Sequence, residues 1–219
     1  MNIAIDGPAG AGKSTIAKLV AKKLGFIYVD TGAMYRSIAL YMIENNIEPD
    51  NETAIADACE AISIKIAYEN DTQQVYLNEE NVSAKIRMEQ VGNMASVFAA
   101  KKTVRDKLLS LQRNIAAEND CIMDGRDIGT HVLPNAKVKI YLTASVDTRA
   151  MRRYNELVQK GQNPDIDTIK ADIEQRDYQD MNREIAPLKQ AEDAVRVDTS
   201  QMNIDEVVNC LRQLILDRI

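Results

Sequence analysis

The sequence predicts an α/β fold: a parallel five-stranded sheet flanked by helices, with a small antiparallel β insertion and a helical lid. Three observations carry this. Residues 2–29 run from a short apolar strand through a glycine loop and an amphipathic helix into a second strand. That is a βαβ unit, and such units build parallel sheets. Residues 62–83 switch to an apolar–polar alternation broken by polar turns, as in a small hairpin region. Three later apolar segments, at 121–123, 138–142 and 194–197, read as further strands, with two stretches of helical periodicity between the last two.

The elements follow in order. Residues 2–6 (NIAID) are β-prone and end at a Gly-Pro break. From Lys13 the period becomes helical, with Ile16, Leu19, Val20 and Leu24 on one face, until Gly25 ends the helix. Residues 26–29 form the second strand. Helical pattern occupies residues 34–44 and 52–61. In the insertion, Ile62, Ile64 and Ile66 alternate with Ser63 and Lys65, a turn falls at 70–72, and Val75 and Leu77 continue the pattern. Residues 102–117 are amphipathic, with Val104, Leu108, Leu111 and Ile115 in register. After the strands at 121–123 and 138–142, residues 147–160 and 166–182 read as two helices joined across Gly161, Asn163 and Pro164. A last strand at 194–197 precedes a closing helix at 204–216, with Ile204, Val207, Val208, Leu211 and Ile215 facing inward.

Composition narrows the function. The 219 residues suggest one sizeable domain, and 45% hydrophobic with 27% charged residues is ordinary for a folded globule. A net charge of −6 disfavours a generic nucleic-acid surface, although a local basic pocket remains open. No apolar run approaches a membrane span, and the N-terminus lacks the basic region and long apolar core of a signal peptide. The expectation is a cytoplasmic protein with no membrane partner, and a monomer, since every apolar stripe has an internal use. Cys59, Cys121 and Cys210 are odd in number and far apart, as expected of reduced thiols. With His131 alone, mechanisms needing two or three histidines are excluded.

Gly7, Pro8, Ala9, Gly10, Ala11, Gly12, Lys13 and Ser14 match the phosphate-loop pattern G-x-x-x-x-G-K-[ST], and Thr15 follows. The context fits, since a strand precedes the loop and a helix starts at it. The glycines let backbone N–H groups turn onto phosphate oxygens, and the helix N-terminus adds partial positive charge. Lys13 is placed to reach the β- and γ-phosphates, and Ser14 to coordinate Mg²⁺ bound with ATP. A GTPase switch is disfavoured, because no aspartate has glycine three positions later and no N/T-K-x-D clamp exists. A transport ATPase is disfavoured by size and by a strand ending in Asp124-Gly125 where D-E is usual. Asp124 can still orient Mg²⁺ through water. A small-molecule kinase remains.

Two motifs follow strand ends: DTGAMYR at 30–36 and DGRDIGT at 124–130. Arg149, Arg152 and Arg153 share one helical face, and Arg176, Asp180 and Arg183 another. Such clusters suit neutralisation of several phosphates. No histidine or clear general base lies in these motifs. A phosphate-monoester acceptor needs none, because its second pKa is about 6. The pattern therefore suits transfer from phosphate to phosphate, carried by positioning and charge stabilisation.

Taken together, GPAGAGKST, DTGAMYR, Gly92–Ser96 (GNMAS), Val104-Arg105, DGRDIGT, RAMRR at 149–153, QRDYQDMNREIAPL at 175–188 and VDTS at 197–200 resemble the bacterial cytidylate kinases, over essentially the whole chain. The resemblance implies a P-loop kinase fold in a single domain over 1–219, with an acceptor-nucleotide region at 34–84 and a lid at 152–182. It implies transfer of the γ-phosphoryl group of ATP to CMP or dCMP, with Mg²⁺. Carried over by motif, Arg36 and Arg126 bind the acceptor phosphate, with Thr31 nearby. Ser96, Arg105, Asp127 and Arg183 face the cytosine. Arg176 and Asp180 hold the sugar hydroxyls, and Arg152 and Arg153 close on the donor phosphates. Tyr35 either lines the acceptor pocket or packs. Asp127 either reads the base or braces Arg126 or Arg183. His131 is expected to be structural. Other acceptors on this scaffold are UMP, AMP and shikimate, but the R-x-F-E element of shikimate kinases and the adenylate kinase loop G-x-P-G-x-G-K-G-T are not reproduced.

Overall fold

β1 (Asn2–Asp6) runs through the middle of the main sheet in a computed structural model that describes residues 1–69 and 72–219. β6 (Cys121–Gly125) and β7 (Val138–Thr143) flank it, both parallel, so that Ile3 pairs with Ile122 on one side and Val138 on the other. β8 (Val195–Asp198) runs parallel to β7, and β2 (Ile27–Asp30) is at the opposite end of the order β2-β6-β1-β7-β8. Ile3, Ala4, Ile5, Cys121, Ile122 and Met123 are all fully buried. That is why these strands read as continuous apolar runs, the signature of a parallel sheet covered on both faces.

The chain divides into two compact units, the first made of residues 1–27 and 120–219, the second of residues 28–119. In the first, α1 (Lys13–Leu24) buries Ile16, Ala17, Val20 and Ala21 and stops at Gly25, whose φ of 72° only glycine adopts freely. Leu19, expected inward, is exposed, since the inward face turns toward Ala17 and Ala21. α8 (Ile204–Leu216) opens with a capping box between Asn203 and Glu206. It buries Val207, Val208, Leu211 and Ile215, but Ile204 is exposed: as the first helical residue it lies ahead of the turn that meets the core. α6 (Val146–Gln159) and α7 (Ile166–Asn182) are capped by Ser145 and Asp165 and form a hairpin across Gly161. Ala150, Ile169 and Ile173, with Tyr154 and Leu157 against them, give that hairpin a small core of its own.

In the second unit, α2 (Thr31–Glu44) starts three residues earlier than its apolar pattern, because the Asp30 side chain caps the Ala33 N–H. α3 (Glu52–Ala61) is capped by Asn51. β3 (Ile64–Glu69), β4 (Thr72–Leu77) and β5 (Glu80–Asn81) form the expected antiparallel insertion. Its predicted turn at 70–72 falls on Asn70 and Asp71, which lie outside the described residues, while Thr72 already belongs to β4. α4 (Glu89–Phe98) follows a 3₁₀ turn at Lys85–Arg87 and has no counterpart among the predicted helices. Gly92, Asn93 and Ser96 weaken its local propensity, and burial of Val91, Ala95 and Phe98 overrides them. α5 (Lys102–Glu118) buries Val104 and Leu108 as expected, but then Gln112 and Ala116, leaving Leu111 and Ile115 half-buried.

Candidate active site

The phosphate loop joins β1 to α1. At Gly7, φ is +151°, and a Cβ there would lie 1.9 Å from the Leu142 carbonyl oxygen, so no other residue fits. Gly12, with φ 86°, stands at the N-cap of α1 and offers no side-chain cap, which leaves the first-turn N–H groups for a ligand. Lys13 is buried and donates from Nζ to the Pro8 carbonyl at 2.8 Å. Burial, with the Arg126 charge adding to it, pushes its ammonium down to about 7, against the pull of Asp124, Asp180 and Asp6. Ser14 Oγ donates to Asp124 Oδ2 at 2.8 Å. This hydroxyl and carboxylate are hard oxygen donors of the kind Mg²⁺ uses together with phosphate oxygens and water. No group of three or more potential metal-binding carboxylate, histidine or cysteine side chains occurs among the described residues.

The loop is anchored by residues that sequence reasoning left without a role. Arg149 donates to the Ala9 carbonyl at 2.9 Å and the Ala144 carbonyl at 3.0 Å, and pairs with Asp177 at 2.6 Å. Asp177 in turn accepts the Ala9 N–H at 3.2 Å. One residue of the loop is thus held at both its backbone polar groups by an ion pair that joins α6 to α7. Arg149 was visible only as one member of a cationic face, and Asp177 only as a neighbour of Arg176. Asp6, the last residue of β1, accepts the Ile128 N–H at 2.8 Å and the Gly129 N–H at 2.7 Å. Burial raises its carboxyl to about 6 in spite of those hydrogen bonds. It thereby fastens a π turn at Ile128–Val132, unforeseen from sequence, which follows the DGRD segment. The signal was a charged residue ending an apolar strand directly before the loop.

Arg126, Asp127, Asp180 and Arg183 come together in the first unit. Arg126 Nε donates to Asp180 Oδ2 at 2.8 Å. Burial works to raise the Asp180 carboxyl, but the Arg126 charge and hydrogen bond win, with Arg183 and Arg176 helping, and hold it below the usual range. Arg183 donates to Asp127 Oδ1 at 3.3 Å and to the Ala186 carbonyl from both Nε and Nη2, at 2.8 and 2.6 Å. The bracing role considered for Asp127 therefore has its partner in Arg183. Ala186 takes a φ of 47°, a left-handed conformation unusual for alanine. Arg152 lies at the loop, donating to Thr199 O at 2.8 Å, Thr199 Oγ1 at 3.3 Å and Ala11 O at 3.5 Å. Arg153 does not join it: it pairs with Glu156 at 3.0 Å on a half-exposed surface. His131 lies within the π turn.

In the second unit, Thr31 is buried at the start of α2, and Arg36, one turn on, donates to Asp30 Oδ2 at 3.0 Å. Tyr35 lies under the Arg105 guanidinium, 5.6 Å from centroid to Cζ, and Arg105 donates to the Ala99 carbonyl at 3.2 Å. Ser96 is half-buried on α4. Gln73, unforeseen, donates to and accepts from the Asp30 backbone at 3.3 and 2.8 Å.

A parallel sheet with a glycine loop at β1, a lysine in that loop, a serine on an aspartate and arginines around them define a P-loop kinase. The chain belongs to the cytidylate kinase family, whose sequence profile matches residues 3–217. It is 50% identical over 212 residues to a cytidylate kinase of Listeria welshimeri, covering 97% of this chain and 94% of that one. It is 48% identical over 215 residues to one of Lactobacillus gasseri, covering 98% and 94%. Among solved structures, a shikimate kinase from Bacteroides thetaiotaomicron matches with a TM-score of 0.50 at 14% identity, over 99% of this chain and 98% of that one, which is a likeness of fold alone.

Proposed function

We propose that the protein transfers the γ-phosphoryl group of ATP to CMP or dCMP, giving ADP and CDP or dCDP. The observation that carries this is the Ser14–Asp124 hydrogen bond beside buried Lys13, in a chain that belongs to the cytidylate kinase family over residues 3–217. Lys13 follows the transferring phosphoryl group, and the backbone of residues 7–15 cradles the donor phosphates. Ser14, and Asp124 through water, would hold the Mg²⁺ that arrives with ATP, which would supply charge neutralisation at the donor phosphates. Arg36 and Arg126 bind the acceptor phosphate near Thr31, and Arg152 and Arg153 take donor phosphates. Ser96, Arg105, Asp127 and Arg183 recognise cytosine, Arg176 and Asp180 the sugar, and Tyr35 lines the acceptor side. The acceptor phosphate attacks as an anion, so no side chain takes a proton. Residues 152–182 act as a lid that excludes water, which hydrogen exchange with and without CMP and an ATP analogue measures.

The same reading makes the enzyme a cytoplasmic monomer acting on small molecules, without nucleic-acid or membrane partners. No helix among the described residues is long and apolar enough to cross a membrane. The deciding experiment is ADP release from ATP with CMP, dCMP, UMP, AMP, GMP and shikimate in parallel. CMP and dCMP should lead. A lead by any other acceptor overturns the proposal.

A further inference from the structure

The carboxylate of Asp30 is buried, 4% exposed, and its two oxygens divide their work. Oδ1 accepts the Ala33 N–H at 2.9 Å, while Oδ2 accepts from Arg36 Nη2 at 3.0 Å and from Arg87 Nη2 at 3.2 Å. Gln73 grips the Asp30 backbone on both its N–H and its carbonyl, so the carboxylate is fixed and the arginines come to it. One carboxylate and two guanidiniums leave one positive charge in excess. That charge sits at the N-terminus of the 14-residue α2, where the peptide dipoles add to it. Gly32 makes room for the arrangement: a Cβ there would lie 3.2 Å from Arg36 Nη1 and 3.1 Å from Asp30 Oδ1. Arg36 Nε is buried and has no hydrogen-bond partner among the described residues. A structural ion pair would be complete with one arginine. A cluster with surplus charge and an unmet donor is organised for an anion.

We propose that Arg87 is a further binding residue for the phosphate of the acceptor, paired with Arg36 across Asp30, which positions both. This rests on the kinase reading above and extends it to a residue outside its motifs. A phosphate monoester is largely a dianion at neutral pH and accepts at three oxygens, which two planar guanidiniums match better than one. Arg87 stands on the 3₁₀ turn between the β insertion and α4, with its side chain 60% exposed, so it can shift from Asp30 toward a phosphate without unpacking the core.

Calorimetric titration of CMP, and of cytidine as the same molecule without its phosphate, tests this on wild type, Arg87→Ala and Arg87→Lys. Arg87→Ala should weaken CMP binding about 10- to 100-fold, the worth of a charge-assisted hydrogen bond. Cytidine affinity and Tm should stay unchanged, and Arg87→Lys should restore part of the loss. Equal weakening of CMP and cytidine overturns the proposal, because Arg87 would then support the base or the scaffold. No change for either ligand also overturns it and leaves Arg87 as a brace for Asp30. A wild-type protein that binds no CMP overturns the underlying functional reading, and Arg87 with it.

Discussion

The two compact units both carry arginines paired with carboxylates, but anchor their charges differently. In the first, the charges around the phosphate loop are tied to backbone: Lys13 to Pro8 O, Asp6 to the Ile128 and Gly129 N–H groups, and Arg149 and Asp177 to the carbonyl and the N–H of Ala9. All four of these side chains are buried. In the second, side chain meets side chain: Arg36 and Arg87 converge on one oxygen of Asp30, and Arg105 lies over Tyr35. Backbone anchoring holds a group where a transition state needs it and tolerates little change. Side-chain anchoring leaves the group able to follow a ligand. The difference follows from the sheets. The first unit's central strands β1 and β6 are buried on both faces, whereas β3 in the second has only half-buried or exposed positions.

The sharpest way to break the comparison is Asp177→Ala, which leaves Arg149 buried without its carboxylate. Chemical unfolding should register a loss of about 3–5 kcal/mol. Equal stability of variant and wild type would mean that the ion pair adds nothing to the loop. Next is Lys13→Ala, which should lower kcat by about 10² or more while CMP binding holds. An enzyme retaining most of its kcat would remove the loop lysine from the mechanism.

Asp6 sets a pH dependence with its own sign. Its folded pKa of about 6 lies above the ordinary 3.8, so the native state binds the extra proton. Its contribution is present in full below about pH 4 and is lost as pH rises through 6, by about 3 kcal/mol in total. Asp180, held low, works in the opposite direction, gaining stability as pH rises. Urea titrations from pH 4 to 7 should therefore give Asp6→Asn a steeper rise in stability with pH than wild type. Parallel curves would refute the assignment.

Asp127→Asn asks whether the first unit also reads a base. The amide can offer N–H₂ to uracil O4, where a carboxylate repels it, so the CMP/UMP ratio in kcat/KM should shrink by about 1–3 kcal/mol. A constant ratio, with both substrates weakened, would leave Asp127 solely as the brace of Arg183. The smallest effect belongs to Gln73→Ala in the second unit. It removes two hydrogen bonds from the Asp30 backbone and should cost about 1 kcal/mol of stability, with a raised KM for CMP and an unchanged KM for ATP. A KM shift for ATP as well would show that the second unit's anchor acts beyond the acceptor.

Most of the fold was legible because a covered parallel sheet writes itself as apolar runs, α1 stops at Gly25 and α8 carries one apolar face. α4 was not, since Gly92, Asn93 and Ser96 argue locally against a helix that burial of Val91, Ala95 and Phe98 makes favourable. The exposure of Leu19 and Ile204 was equally hidden: periodicity defines a face but not how far its partner extends. In the site, the loop, Ser14 and Asp124 were legible because phosphate binding imposes a spacing. Asp6, Asp30, Gln73, Arg87, Arg149 and Asp177 were not, because they act on backbone or on other side chains, often across more than 40 residues of sequence.

Gly7 has a consequence for inhibition. With the Leu142 carbonyl 1.9 Å from where its Cβ would stand, that wall of the loop is one the gene cannot remodel without rebuilding β7. A compound that draws its affinity from the backbone around Gly7 meets a surface with no route to resistance by substitution there. One that draws it from Arg87 or Arg153, both on open side-chain surface, leaves escape a single codon away.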